Sequence, residues 1–226
     1  MTLTTFNQIH RYSTSTIRFA VLPAILAAIA GCSLTGGATP PPVSYYQLDY
    51  PAPAPSEARL PYVLRLLPVQ TSSVYDSNQI VVREGDHRVD SYFYRRWTTH
   101  PAQMIGDLIE RDLAESGLFE AVIRATVPLH SDFTIATSLE RVEEDQVGGC
   151  TARLRIRFTL SKQAKGSRTP VLFQIAYEAD EPCRAGDVED VVAAMSRAMA
   201  RISEQLMARL VTELSPAHDS EGSGNQ

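Results

Sequence analysis

Cysteine and histidine are scarce, three and five in 226 residues, and there is one tryptophan. Three thiols cannot build a disulfide-dense scaffold or a four-thiolate zinc site. The histidines are scattered at positions 10, 87, 100, 130 and 218, and none has a second histidine or a cysteine at ligand spacing. No metal and no cofactor are therefore expected. Phosphate-binding glycine loops, the HExxH helix and the GxSxG elbow are absent too, which removes the usual nucleotide, metalloprotease and hydrolase chemistries. A lone His100 near a helix start reads as a capping or surface group, so the chain is read as a non-enzyme. A basic tail is also missing, and the formal charge is −5; nucleic acid is not an expected partner. What remains, at 44% hydrophobic and 21% charged residues, is the composition of a folded domain.

Long apolar runs are missing as well. The longest, residues 19–31, rises only about 20 Å as a helix, short of the roughly 30 Å of bilayer hydrocarbon, and Pro23 interrupts it. Arg11 and Arg18 precede it with no acidic neighbour. A positive start, a short apolar stretch and small residues before a cut describe a signal peptide over residues 1–31. Ile29-Ala30-Gly31-Cys32 resembles a bacterial lipobox, in which the cysteine sulfur is acylated and becomes the mature N-terminus. Each buried methylene adds roughly 0.8 kcal/mol of membrane affinity, so two or more chains anchor stably. Ser33, in place of an aspartate, resembles the sorting signal for the outer membrane, which puts the expected location on that membrane, facing the periplasm.

Half of the fourteen prolines fall between residues 40 and 61. Residues 32–44 carry no charge and no apolar period, and they read as a lipidated flexible tether. The folded body is expected over 45–214, with a disordered polar tail at 215–226. Within the body, 45–48, 62–70, 79–84 and 88–97 read as strands, the last alternating weakly around Val89 and Phe93. Thr99 is a candidate N-cap with Pro101 in the first turn. Met104, Ile105, Leu108, Ile109 and Leu113 then share one helical face, and Gly117 with Leu118 supplies a stop. Strands follow at 132–142, 151–161 and 171–179. In the middle one Ala152, Leu154, Ile156, Phe158 and Leu160 alternate with Thr151, Arg153, Arg155, Arg157 and Thr159. A long amphipathic helix over 187–214 closes the chain. The expected fold is a single α+β domain, a mostly antiparallel sheet with one face covered by two amphipathic helices.

If the last two strands form a hairpin around 164–167, Cys150 and Cys183 fall opposite each other at its open end. In an oxidising periplasm that predicts a disulfide, worth roughly 3–4 kcal/mol in the chain-entropy account; two separated thiols are the alternative. Arg153, Arg155 and Arg157 could face a lipid phosphate, but cross-strand pairing with Glu140 or Glu178 is the reading preferred. Glu140, Glu143, Glu144 and Asp145 read as a solvated acidic loop. Part of the long helix could pack on another chain, so a homo-oligomer stays open.

Several short motifs, in order, resemble the ABC-type transport auxiliary lipoprotein family (PqiC-like). They are the lipobox and proline tether, Tyr45-Tyr46-Gln47-Leu48, the tyrosine-aspartate strand-entry segment Val74-Tyr75-Asp76-Ser77-Asn78-Gln79-Ile80-Val81-Val82-Arg83, the strand from Val89 that closes on Tyr94-Arg95-Arg96-Trp97, and the helix with Pro101 followed by Ser116-Gly117-Leu118-Phe119. The resemblance implies a non-enzymatic accessory component of an MCE-domain, ABC-type system that moves lipid between membranes, with an MCE-domain periplasmic protein as partner. Tyr75, Tyr92, Tyr94 and Trp97 are then candidate docking aromatics. A structural or assembly lipoprotein of the outer membrane is the alternative.

Overall fold

Prolines 40–42 have no N–H to give a ladder, and the first hydrogen-bonded element of the computed structural model is the short β1, Ser44–Tyr46. The structure describes residues 40–163 and 170–215. The signal segment, Cys32, most of the tether, the 164–167 turn and the tail from 216 lie outside them. After β1 come β2 (Leu60–Leu66), β3 (Gln70–Thr71), β4 (Gln79–Arg83), β5 (Val89–Trp97) and α1 (Pro101–Glu115). The chain continues through β6 (Phe119–Arg124), β7 (Phe133–Asp145), β8 (Thr151–Lys162) and β9 (Val171–Pro182) to α2 (Val188–Leu214).

β7 is the spine of one nine-stranded sheet. Along one edge it pairs antiparallel with β8 over its whole length, and β8 pairs with β9 in the same way. The opposite edge is shared in succession by β2, β3 and β4, each parallel to β7. Beyond them β6 lies parallel to β2, and β5 antiparallel to β4 with β1 parallel beside it. The long ladders are antiparallel, as expected. The short parallel ladders of β6 and β7 with β2, β3 and β4 arise because the chain returns through α1 before laying down β6 and β7, a connection that reverses direction twice.

The alternation in β8 does what its sequence promised. Ala152, Leu154, Ile156, Phe158 and Leu160 are fully buried, and the residues between them are half-buried. Against this face packs the Val191, Met195, Met199, Ile202, Leu206 and Leu210 stripe of α2, and Met104, Ile105, Leu108, Ile109 and Leu113 of α1, beside β6, join the same apolar cluster. Each such side chain taken from water contributes roughly 1.5–3 kcal/mol. α2 is 27 residues long; Asp187 caps it, accepting the Asp190 N–H at 3.2 Å, while Glu189 and Asp190 complement the positive end of its dipole.

The start of α1 differs from expectation by one residue. His100 occupies the cap position with φ −61° and ψ 135° and no side-chain cap bond. The residue before a proline is held extended, so Pro101 at the first helical position makes His100 the boundary. Thr99 instead donates its hydroxyl to Gln103 Oε1 at 3.0 Å. At the other end Gly117 has φ +58°, as a left-handed helix stop requires. The Ser116 hydroxyl donates to the Leu113 carbonyl at 2.9 Å and accepts the Leu118 N–H at 3.3 Å. It thus relays the bond that closes such a stop.

One expectation is reversed. Glu143, Glu144 and Asp145 are not a solvated loop: they end β7, with 0%, 0% and 3% exposure. Three carboxylates this deep persist only with full sets of donors; those donors come from the segment before β4, from β4, β5 and β8, and from residues 146–147 just after β7.

Candidate docking surface

Glu143 accepts Arg83 Nε at 2.7 Å and Nη2 at 3.0 Å, and the Tyr75 hydroxyl at 2.8 Å. Arg141 Nε stands 3.5 Å from the same carboxylate. Burial, then the bond to Glu143, push the Tyr75 phenol up to about 12. Glu144 accepts the Tyr92 hydroxyl and Gln146 Nε2, both at 2.8 Å; burial first, then Glu144, raise the Tyr92 phenol as well. Asp145 takes Arg153 Nη1 at 3.1 Å and the Val147 N–H at 2.7 Å.

A separate buried carboxylate, Asp112 on α1, accepts Tyr50 Oη at 2.6 Å, Ser203 Oγ at 2.5 Å and both Arg111 Nε and Nη2 at 2.9 and 2.8 Å. Arg111 also stacks over the Tyr50 ring at 4.4 Å. These are convergent titratable groups, yet neither cavity described below is lined by any of them. Every acid oxygen already has a donor, so the networks hold segments together. Among the described residues no His, Cys, Asp and Glu cluster is placed to hold a metal.

One cleft, about 560 Å³, runs between the outer side of α1 and the β2–β3 connection, floored by Leu66, Pro68, Val69 and Gly106. A Cβ at Gly106 would stand 3.3 Å from Val69 Cγ2, so glycine lets the floor close. Arg124 forms ion pairs at its mouth with Asp107 at 2.9 Å and with Glu110, and His100 Nδ1 stands 3.4 Å from Asp76 Oδ1.

The expected docking aromatics part company. Trp97 is 0% exposed and Tyr75 6%. Trp97 packs in the core and Tyr75 spends its hydroxyl on Glu143, so both leave the docking surface expected of them. Tyr92 and Tyr94 are both half-buried, Tyr92 tied to Glu144 and Tyr94 with its ring edge-on to Phe93 at 4.8 Å. The cause is a bulge. One residue separates Gln79 from Val81 in β4, while residues 92–95 separate the facing Ser91 and Arg96 in β5. A bulge of this kind turns side chains out of the regular alternation. Hence Phe93, which the sequence pattern put on an apolar face, is 70% exposed; Val89, at the regularly paired start of β5, is 43% exposed. Around the bulge lie Tyr45 at 60% exposure, Arg95 over the Tyr92 ring at 5.3 Å, and Arg96 opposite Tyr45. A second cavity of about 470 Å³ opens here between Tyr46, Arg95 and the 185–189 turn. Phe93, Arg95 and Arg96 read from the sequence as strand and motif residues with no docking role; an arginine pair flanked by Tyr92, Phe93, Tyr94 and Trp97 is the available signal.

The arginine row of β8 is occupied. Glu140 accepts Arg155 Nε at 2.8 Å and Arg157 Nε at 2.5 Å, and Glu178 accepts Arg155 Nη1 at 2.7 Å. The Arg157 bond, then Arg155, hold the Glu140 carboxyl below its ordinary range. At the hairpin's open end Cys150 and Cys183 are joined, with Cα atoms 5.0 Å apart.

Residues 46–207 match the family described as ABC-type transport auxiliary lipoprotein component. The chain belongs to that family. The match takes in all of the body from the end of β1 into the last turns of α2, so the networks above lie within the family domain. Among solved structures the fold is similar to protein XCC0632 from Xanthomonas campestris, of the DUF330 family, with TM-score 0.68 and 21% identity over 79% of this chain and 99% of that one. It is similar also to an uncharacterized protein, with TM-score 0.59 and 15% identity over 75% and 99%. Among curated proteins none matches the sequence. In this family member no helix among the described residues is long and apolar enough to cross a membrane.

Proposed function

We propose that this protein is an outer-membrane lipoprotein, anchored through acylated Cys32 and facing the periplasm, that serves an MCE-domain, ABC-type lipid transport system without turning over a substrate. The observation that carries the reading is the family match over 46–207. Support for the anchor is the Ile29-Ala30-Gly31-Cys32 pattern after a short apolar run. Support for a binding role is that the buried acids of the body are all engaged in internal pairs, away from both cavities. In this reading residues 1–31 are removed, 32–44 are the tether, 45–214 are the docking body, and the partner is an MCE-domain periplasmic protein.

Affinity capture of the membrane-extracted protein tests the partnership: an MCE-domain protein is the expected prey, and recovery of outer-membrane assembly proteins alone would overturn it. Cys32→Ala should release the folded chain from the membrane fraction. Its persistence there would end the acyl-anchor reading.

A further inference from the structure

We infer that the β5 bulge is a lipid-contact surface: Phe93 and Tyr45 seat among the headgroups of a phospholipid bilayer while Arg95 and Arg96 bind their phosphates. The inference rests on the acyl anchor at Cys32 and adds to it a second, non-covalent attachment.

Three observations carry it. The first is the distribution of exposed aromatics. Of the large apolar side chains exposed among the described residues, only Tyr45 and Phe93 are aromatic, and both lie at the β1–β5 edge with Val43 and Val89. Aromatic rings with a polar rim favour the boundary between headgroups and acyl chains. The second is charge. Arg83, Arg124, Arg141, Arg153, Arg155 and Arg157 all have carboxylate partners. The Arg95 and Arg96 side chains have neither a hydrogen bond nor an ion pair among the described residues, and Arg96 Nε is buried without a partner. A guanidinium fork matches a phosphate in geometry and charge. Of the acids in the adjoining cavity, Asp187 is already held by Arg184 at 3.0 Å, which leaves Glu189 as the competing charge.

The third is position. β1 pairs Ser44 with Arg95 and Tyr46 with Trp97, so the patch borders the strand into which the tether runs. From Cys32 to β1 the chain spans about twelve residues and at most about 40 Å. An anchored chain therefore keeps this edge within reach of the bilayer. In the β1 register Pro41 and Pro42 fall opposite Tyr92 and Phe93, and having no N–H they cannot continue the ladder over those two residues.

The test uses the full lipidated protein, extracted in detergent and reconstituted into vesicles of phosphatidylethanolamine and phosphatidylglycerol with brominated acyl chains. The single native tryptophan, Trp97, is fully buried and sets the unquenched baseline. Phe93→Trp at an open position should leave the fold intact and show at least twofold stronger quenching than wild type. Arg95→Ala with Arg96→Ala in that background should return quenching towards the baseline, as should omission of the anionic lipid. Mass spectrometry of the same sample separates the two ways of failing. Acylated protein whose position 93 stays unquenched overturns this inference and leaves the anchor standing, whereas an unmodified Cys32 overturns both. Protection of position 93 by a purified MCE-domain protein, with no quenching by lipid, would assign the bulge to a protein partner and overturn the inference too.

Discussion

Truncation of Asp112 should unfold this domain more readily than any other single change on its helices' polar positions. The carboxylate is 0% exposed and joins three separate pieces of chain: Tyr50 before β2, its own helix α1, and Ser203 on α2. In Asp112→Ala, Arg111 can rehydrate, since 26% of its side chain is exposed and it keeps the Tyr50 carbonyl at 3.1 Å. The two hydroxyls cannot. Each hydroxyl left buried without a partner costs about 1–3 kcal/mol. Relief of the carboxylate's own desolvation offsets part of that sum, and broken buried pairs of this kind cost about 3–5 kcal/mol. About 3–4 kcal/mol is the expectation. With a urea slope near 2 kcal/mol/M the midpoint falls by roughly 1.5–2 M. Asp112→Asn keeps the volume, and the hydroxyls can rotate to accept from the amide, so it should lose only about 1–2 kcal/mol. A double-mutant cycle with Tyr50→Phe should show coupling of about 1 kcal/mol or more. An alanine variant within 1 kcal/mol of wild type, or strict additivity with Tyr50→Phe, would refute the reasoning.

Alkaline stability should depend on the buried phenols. Tyr75 has its pKa raised in the fold from 10.0 to about 12, so its contribution is complete below pH 10 and is lost as pH climbs to 12. At about 1.4 kcal/mol per pH unit this amounts to on the order of 2–3 kcal/mol. Urea midpoints between pH 9 and 12 should therefore fall less steeply in Tyr75→Phe than in wild type; parallel curves would argue against it. The Cys150–Cys183 bond, across a separation of 33 residues, should leave no reactive thiol in exported protein, and Cys150→Ser with Cys183→Ser should cost roughly 3–4 kcal/mol. Two titratable thiols in the native protein would count against the pairing. Gly117→Ala should lower stability by about 1–2 kcal/mol, because φ is +58° and a Cβ would press on Arg59; an unchanged melting temperature would show that the turn can relax.

The elements legible in sequence were those whose signal is local. The period-2 alternation of β8 and the apolar stripes of α1 and α2 each lie within a single segment. The β8–β9 ladder runs from Thr151 opposite Pro182 to Leu160 opposite Phe173, the register that sets the two cysteines face to face. What escaped depends on distant chain. β6, Phe119–Arg124, carries too short a pattern to stand out after the helix stop, and its strand character comes from pairing with β2. The parallel ladders on β7 are set by the crossover through α1. The acidic end of β7 reads as a loop because a register shift between Leu139 and Arg141 breaks its alternation. Its carboxylates are kept inside by Tyr75, Arg83 and Tyr92, more than fifty residues earlier in the chain. Aromatic type likewise says nothing of exposure. Trp97 and Phe93 belong to one strand, and only the bulge between them decides that one is core and the other surface.

The same distinction moves the candidate anion site. By residue type, the row Arg153, Arg155 and Arg157 on β8 is the obvious phosphate-binding face, three cations at alternate positions of a half-exposed strand. Geometry removes it: Glu140 and Glu178 engage Arg155 from both neighbouring strands, and Asp145 and Asp180 do so for Arg153. A phosphate arriving there would have to displace carboxylates held at hydrogen-bond distance, exchanging one charge-assisted pair for another with little gain. At Arg95 and Arg96 no such exchange is needed, since among the described residues no acid holds them. Counting cations along a strand ranks the β8 row first. Counting cations that remain after pairing puts the β5 bulge ahead of it, at the edge where the tether meets the sheet.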